Sequence, residues 1–256
     1  MTNNVLRDVK IRDRAPLMIK NYTRYAPDAL GLQECDLLAY QTVVEPMLSD
    51  QYAVTGTTVA TDGALSRTPI LYRNDLYALI EQGSDYFTHR YTNSKTYSYA
   101  VFEQRKDGAR FAVINVHFAI VIGSYPKEIG TDEETGNQWR CENAKQVIGI
   151  AERLSKNYAN IPIFLLGDFN CDSRQAPYQI LTSYFNDTLC VASLDRSRPK
   201  ATYHPVGKMP CENGLPCDFI FVTQNSVNVL SCKIIDDRDM IESTDHLALI
   251  VEASIS

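Results

Sequence analysis

Glycine and proline are sparse in this 256-residue chain, at 12 and 11, and tryptophan occurs once. That excludes a collagen-like or low-complexity chain, and 45% hydrophobic residues exclude a disordered one. No apolar run approaches the roughly 18 residues of a membrane span. No signal-peptide pattern opens the chain, which leaves a cytoplasmic location, or secretion after removal of a leader, as the two expectations. Positive charge is also in deficit. The 25 Lys and Arg against 31 Asp and Glu give a net charge of −6, so no general basic field advertises nucleic-acid binding. An acidic balance still admits a phosphate substrate, because a bound divalent cation reverses the sign locally. Seven cysteines are present, none in a Cys-x-x-Cys pair, which excludes a zinc ribbon or thioredoxin-type site. A bridge between Cys211 and Cys217 stays open.

No repeat, tract or linker divides the sequence, so residues 1–256 read as one domain, expected to be monomeric. Asp13, Pro16 and Leu17-Met18 open a helix that ends near Pro27, with Met18, Tyr22 and Tyr25 on one face. A second helix starts at Asp36, with Leu37, Leu38, Gln41 and Val44 near one side. The clearest helix runs from about Gln138 to Tyr158, where Ala144, Val147, Ile148, Ala151 and Leu154 recur at helical spacing. Short apolar runs predict strands at 28–34, 68–73, 97–104, 111–122, 161–166, 218–222, 227–235 and 247–253. Many strands with interspersed helices favour a layered α/β domain.

The polar residues at the strand ends carry the chemistry. Glu34 closes one run, and Asp168 and Asn170 in Gly167-Asp-Phe-Asn170 close another. Asp218 opens a third, Asp245-His246 a fourth, and His117 lies on the alternation face of Val113 and Asn115. Acids ending some strands meet acids beginning others when those strands run antiparallel. One rim then gathers carboxylates that repel each other without a cation, and all-oxygen ligands suit Mg²⁺, with Mn²⁺ able to substitute. Each residue alone has an ordinary reading as a turn, a cap or a core histidine. Their order together is the stronger signal.

That order resembles the endonuclease/exonuclease/phosphatase superfamily, the DNase I-like fold, over essentially the whole chain. The matching pieces are Gly31-Leu-Gln-Glu34, Asn115-Val-His117-Phe118, Leu166-Gly-Asp-Phe-Asn170, Asp218-Phe-Ile-Phe221 and Ser243-Thr-Asp-His246. Arg140 stands where the family often has an arginine before an amphipathic helix. The start departs from the pattern: Thr2-Asn3-Asn4-Val5 matches only the end of the family's first strand, with Asn4 as its asparagine. The resemblance implies a four-layer α/β/β/α sandwich with a shortened first strand, and hydrolysis of a phosphodiester by direct attack of an activated water.

The roles it implies are residue by residue. Glu34, Asp245 and Asn4 attend the metal, and Asp168 orients or deprotonates the water. His246, held by Asp218, and His117 donate to the phosphoryl oxygens, while Asn170 and Arg140 help bind the phosphate. Family substrates include DNA, RNA, phosphoinositides and sphingomyelin. The segment Tyr86-Phe-Thr-His-Arg-Tyr91, with Lys95 and Tyr97, mixes aromatics and cations able to stack a nucleic acid, or else forms a tyrosine-rich surface loop and strand. It tilts the expectation to nucleic acid, modestly ahead of a lipid or small molecule. A non-catalytic binding module on the same fold is the alternative, and retention of every acid and both histidines argues against it.

Overall fold

The computed structural model describes residues 1–8, 10–90, 92–120, 133–198, 200–224 and 226–255. Expected features at Tyr91 and at 121–132, including the end of the 111–122 strand, lie outside them. Two mixed sheets stack face to face. The first has the order β10 (Asp195–Arg196), β12 (Val227–Ile235), β13 (Ala248–Ile255), β1 (Thr2–Asn4), β2 (Ala29–Gln33), β4 (Ile70–Arg73) and β3 (Tyr52–Thr55). The second has β5 (Tyr77–Tyr86), β6 (Thr96–Gln104), β7 (Arg110–His117), β8 (Ile163–Asp168), β11 (Asp218–Thr223) and β9 (Phe185–Asp187). Helix α1 (Ile11–Tyr25) packs beside α6 (Arg238–Ser243), and α3 (Glu133–Asn157) beside α4 (Ala176–Thr182). The result is the expected four-layer sandwich, and the first strand is indeed only three residues long.

Alternation along β7 decides which layer each side chain enters. Phe111 and Val113 join the core shared with the first sheet. Ala112, Ile114 and Val116 join the core under α3, against Ala144, Val147, Ala151 and Leu154. Each fully buried Val, Leu or Phe there contributes about 1.5–3 kcal/mol. These α3 residues are the periodic set read from sequence, although the helix begins at Glu133, ahead of Gln138.

Three local expectations need correction. Helix α1 starts at Ile11 rather than Asp13, because Ile11 is fully buried and anchors the first turn, leaving Pro16 inside the helix. The helix tolerates the hydrogen bond Pro16 cannot give because Ala15 and Met18 hold that turn in the core. The second helix is capped as expected, Asp36 accepting the Ala39 N–H at 3.0 Å. It then widens to π winding over Tyr40–Val44 and tightens to a 3₁₀ turn over Glu45–Met47. This irregular winding buries Ala39, Val43, Val44 and Met47 and leaves Leu37 61% exposed and Gln41 exposed too, so the face expected from a regular 3.6-residue period is wrong at Leu37 and Gln41. Finally, the expected tyrosine-rich loop and strand hold only in part: Thr88 and His89 are exposed outside any strand and Tyr97 lies in β6, but Tyr86 ends edge strand β5 and Phe87 is fully buried against Phe118. Strand β5 has no counterpart among the expected strands because a bulge between Leu79 and Glu81 breaks its alternation.

The parallel pairing of β7 with β8 depends on Gly167. Its φ is 146°, and a Cβ there would lie 2.1 Å from the Val116 carbonyl oxygen. Gly167→Ala is therefore expected to destabilise the protein by more than about 2 kcal/mol. Gly149→Ala, on α3 with open space around it, is expected to be neutral or stabilising by up to about 1 kcal/mol. Urea unfolding midpoints of the two variants check this, and similar midpoints would count against it.

Candidate active site

Chain direction brings the acids together. β1 and β2 are parallel neighbours joined through α1, as β7 and β8 are through α3. The C-terminal ends of all four strands therefore share one rim, carrying Asn4, Glu34, His117 and Asp168. β11 runs antiparallel to β8 and β13 antiparallel to β1, so their beginnings, Asp218 and Asp245-His246, come to the same rim. Register completes the row: His117 pairs with Asp168, and Asp168 pairs with Asp218.

Asp168 is the hub. Its Oδ2 accepts from Asn4 Nδ2 at 3.0 Å and lies 3.4 Å from His117 Nε2 and 4.0 Å from His246 Nε2. Its Oδ1 accepts the Asn170 N–H at 2.9 Å. Burial, reinforced by the Asp218 charge, pushes Asp168 up to about 6. Asn170 is held in the left-handed region, φ 49°, and its amide donates to the Phe118 carbonyl at 3.1 Å. Glu34 is left-handed too, φ 57°, and accepts the Arg7 N–H at 3.2 Å. Six described non-glycine residues have positive φ, and Glu34 and Asn170 are the two of them that carry polar side chains on the rim, where such strain is of functional interest.

Asp218 and His246 form a tight pair, Nδ1 to Oδ2 at 2.8 Å, with both side chains buried. Burial by itself would lower the His246 pKa, but the Asp218 carboxylate outweighs it and holds the imidazole well above its usual value. Thr202 is a partner that sequence reading missed. Its hydroxyl donates to Asp218 Oδ2 at 2.6 Å and accepts the N–H groups of Cys217 and Asp218 at 3.1 and 3.2 Å. A backbone bridge from Tyr203 to His246 fixes that segment beside the pair. His117 behaves oppositely: burial and then the nearby Lys95 charge hold it well below the usual histidine value.

The acids suit a hard cation. Asp245 Oδ1 is buried without a hydrogen-bond partner among the described residues. Burial pushes the Asp245 pKa up, with the Glu34 charge adding to it against His246. An unmet carboxylate oxygen within electrostatic reach of a second carboxylate is a fitting pair of oxygen ligands. The ligand atoms of Asp168, Cys217 and His246 also lie within 4.8 Å of one another. That set fits less well, because burial pushes the Cys217 thiol up to about 12 and His246 Nδ1 is committed to Asp218. Arg140 is a buried residue of α3, near enough to Cys171 and Asp172 for its charge to be felt by both, and Cys171 also feels the charge of Asp168. All seven cysteines are free, Cys211 and Cys217 included. A groove of about 690 Å³ opens at the opposite end of the strands, lined by Met1, Ala29, Phe111, Val113 and Ile220, away from the chemistry.

The model of the Endonuclease/Exonuclease/phosphatase family matches residues 12–246, and the chain belongs to that family. Members of the family are hydrolases of phosphoester bonds. Solved structures share the fold over nearly the full chain. A mannosyl-6-phosphatase of Bacteroides thetaiotaomicron VPI-5482 is 20% identical, covering 99% of this chain and 98% of its own, with a TM-score of 0.81. A sphingomyelinase C from Streptomyces griseocarneus is 16% identical over 92% and 87%, with a TM-score of 0.69. TDP2 of D. rerio, complexed with a single-strand DNA product, is 18% identical over 99% and 97%, with a TM-score of 0.68. No curated protein matches the chain.

Proposed function

We propose that this protein is a divalent-metal-dependent phosphoesterase that cleaves a phosphodiester by direct attack of water. The observation that carries the reading is the in-register row His117–Asp168–Asp218, with His246 locked onto Asp218 at 2.8 Å. A structural scaffold has no use for three buried titratable groups side by side. Glu34 and Asp245 would hold the cation, Mg²⁺ by their hard oxygens, with Asn4 in attendance. When bound, the cation polarises a phosphoryl oxygen and offsets developing negative charge.

The protein's own groups do the rest. Asp168, fixed by Asn4 and the Asn170 N–H, is placed to orient the attacking water and to take its proton at Oδ2. His246 presents Nε2 to the same space, its tautomer and orientation fixed by Asp218, and donates to the phosphoryl oxygen that gains charge. The Asn170 amide, committed to the Phe118 carbonyl by one hydrogen, has a second to give.

Substrate choice lies in the loops around this rim. The stacking surface that favoured nucleic acid is reduced, since Phe87 and Lys95 are buried and Arg90 lies 4.4 Å over the Tyr86 ring. A second reading, a phosphomonoesterase acting on a sugar phosphate, is favoured by the full-length likeness to the mannosyl-6-phosphatase. A panel of bis-p-nitrophenyl phosphate, single- and double-stranded DNA, RNA, phosphoinositides, sphingomyelin and mannose 6-phosphate tests both. Hydrolysis is expected with Mg²⁺ or Mn²⁺, to be lost in EDTA and to fall at least about a hundredfold in Glu34→Ala. Activity that survives full chelation would overturn the metal-dependent reading, and cleavage of mannose 6-phosphate alone would favour the second.

A further inference from the structure

Lys95 is 3% exposed, an unusual place for an ammonium. It stands one residue before β6, whose Tyr97 pairs with Val116 of β7, so its side chain reaches the rim where His117 ends that strand. There Nζ meets His117 Nε2 in a short hydrogen bond. Among the described residues the ammonium makes no other hydrogen bond and no ion pair with a carboxylate. Burial lowers the Lys95 pKa to about 8 against the opposing charges of Asp168 and Glu34, so the group stays mainly charged at neutral pH.

An ammonium has hydrogens to give and no lone pair to receive one. His117 Nε2 is therefore the acceptor, the imidazole is neutral, and its proton sits on Nδ1, which is buried without a partner among the described residues. In that state Nε2 has nothing to donate to a substrate. Among the described residues the site then holds a buried cation with two N–H donors that no carboxylate takes, adjoining Asp168 through one histidine and only within longer electrostatic reach of Asp168 and Glu34. A buried charge of this kind is costly until an anion completes it.

The geometry points to Lys95 as the residue that binds the phosphoryl group at this edge of the site, with His117 serving as its anchor and not as a donor to substrate. The inference rests on the phosphoester reading above, and names the group that takes the phosphate. A phosphate oxygen would accept charge-assisted hydrogen bonds from Nζ, and the same contact would strengthen as negative charge builds on that oxygen.

Lys95→Met keeps the length and apolar stem of the side chain and removes only the charge and donors. Inorganic phosphate is titrated into wild type and variant by calorimetry, with Mg²⁺ and again in EDTA, beside melting curves that report the fold. Phosphate binding is expected to weaken at least about tenfold in Lys95→Met with the melting temperature kept or raised. Against the best ester, kcat/KM is expected to fall at least about a hundredfold. Nitrogen-15 NMR of the histidine side chains in wild type gives a second readout, expected to show His117 protonated at Nδ1 and bare at Nε2. Unchanged phosphate binding in a folded Lys95→Met, no phosphate binding by wild type in either buffer, or a proton on His117 Nε2 would each overturn the assignment. Wild type that binds phosphate through Lys95 yet hydrolyses no ester would leave the assignment standing and sink the phosphoesterase reading alone.

Discussion

Asp168→Asn is expected to cut turnover by about a hundredfold to ten-thousandfold, the usual worth of a positioned acid–base group, while leaving the fold intact. It is also expected to change how the metal-free protein responds to pH. In the folded chain Asp168 keeps its proton up to about 6, against a usual value of 3.8. The stability tied to the protonated carboxyl is therefore complete below about pH 4 and is lost as pH rises through about 6. An asparagine loses no proton, so the variant is free of that decline. Melting temperatures in EDTA from pH 4 to pH 8 should show wild type falling relative to the variant between about pH 4 and 6. Parallel curves would mean that Asp168 is not held in a raised state by burial and Asp218.

Asp218→Asn is expected to lower turnover at least about a hundredfold, because His246 loses the partner that orients it and sustains its charge. The sign of the pH effect follows from the two opposing influences on that imidazole. Burial lowers its pKa and Asp218 raises it, with the net well above the usual value. Removing the carboxylate leaves burial in command, so the alkaline limb of the kcat/KM profile should move to lower pH. The stability held by the charged pair, complete at acid pH and lost as pH rises through the folded-state pKa of His246, should shrink in the variant. Thr202→Val, which removes the hydrogen bond to Asp218 Oδ2 together with the acceptor of the Cys217 and Asp218 N–H groups but leaves the carboxylate in place, should act in the same direction and less strongly, with some loss of stability from the unpaired N–H groups. An Asp218→Asn enzyme with wild-type turnover and an unmoved alkaline limb would end the proposed role for the pair.

The row of buried titratable residues was legible because strand ends are legible. Apolar runs closing on Glu34 and Asp168, or opening on Asp218 and Asp245, state where each strand meets the rim, and antiparallel neighbours then bring ends and beginnings together. Asn4 came instead from the resemblance to the end of the family's first strand, and its amide reaches Asp168. What stayed hidden came from segments without a period. Lys95 lies between strands, where the sequence shows only a cation among tyrosines, and its burial depends on β6 and β7 pairing. Thr202 lies in a long irregular stretch, and only the bridge from Tyr203 to His246 brings its hydroxyl to Asp218. Leu37 was misplaced because π winding departs from the period used to read it.

The rim also straddles a seam. Asn4, Glu34, Asp245 and His246 belong to one sheet, while His117, Asp168 and Asp218 belong to the other. The hydrogen bonds from Asn4 to Asp168 and from His246 to Asp218 are thus stitches between layers, and Gln33 to Asn115, at 2.6 Å, is a third beneath them. On the proposed reading neither sheet carries the full set of site residues alone, so a half-assembled chain would be inert until its interior had closed. On the same reading, a change of substrate would fall to the loops outside the seam, where a change in shape leaves the contact between the layers intact.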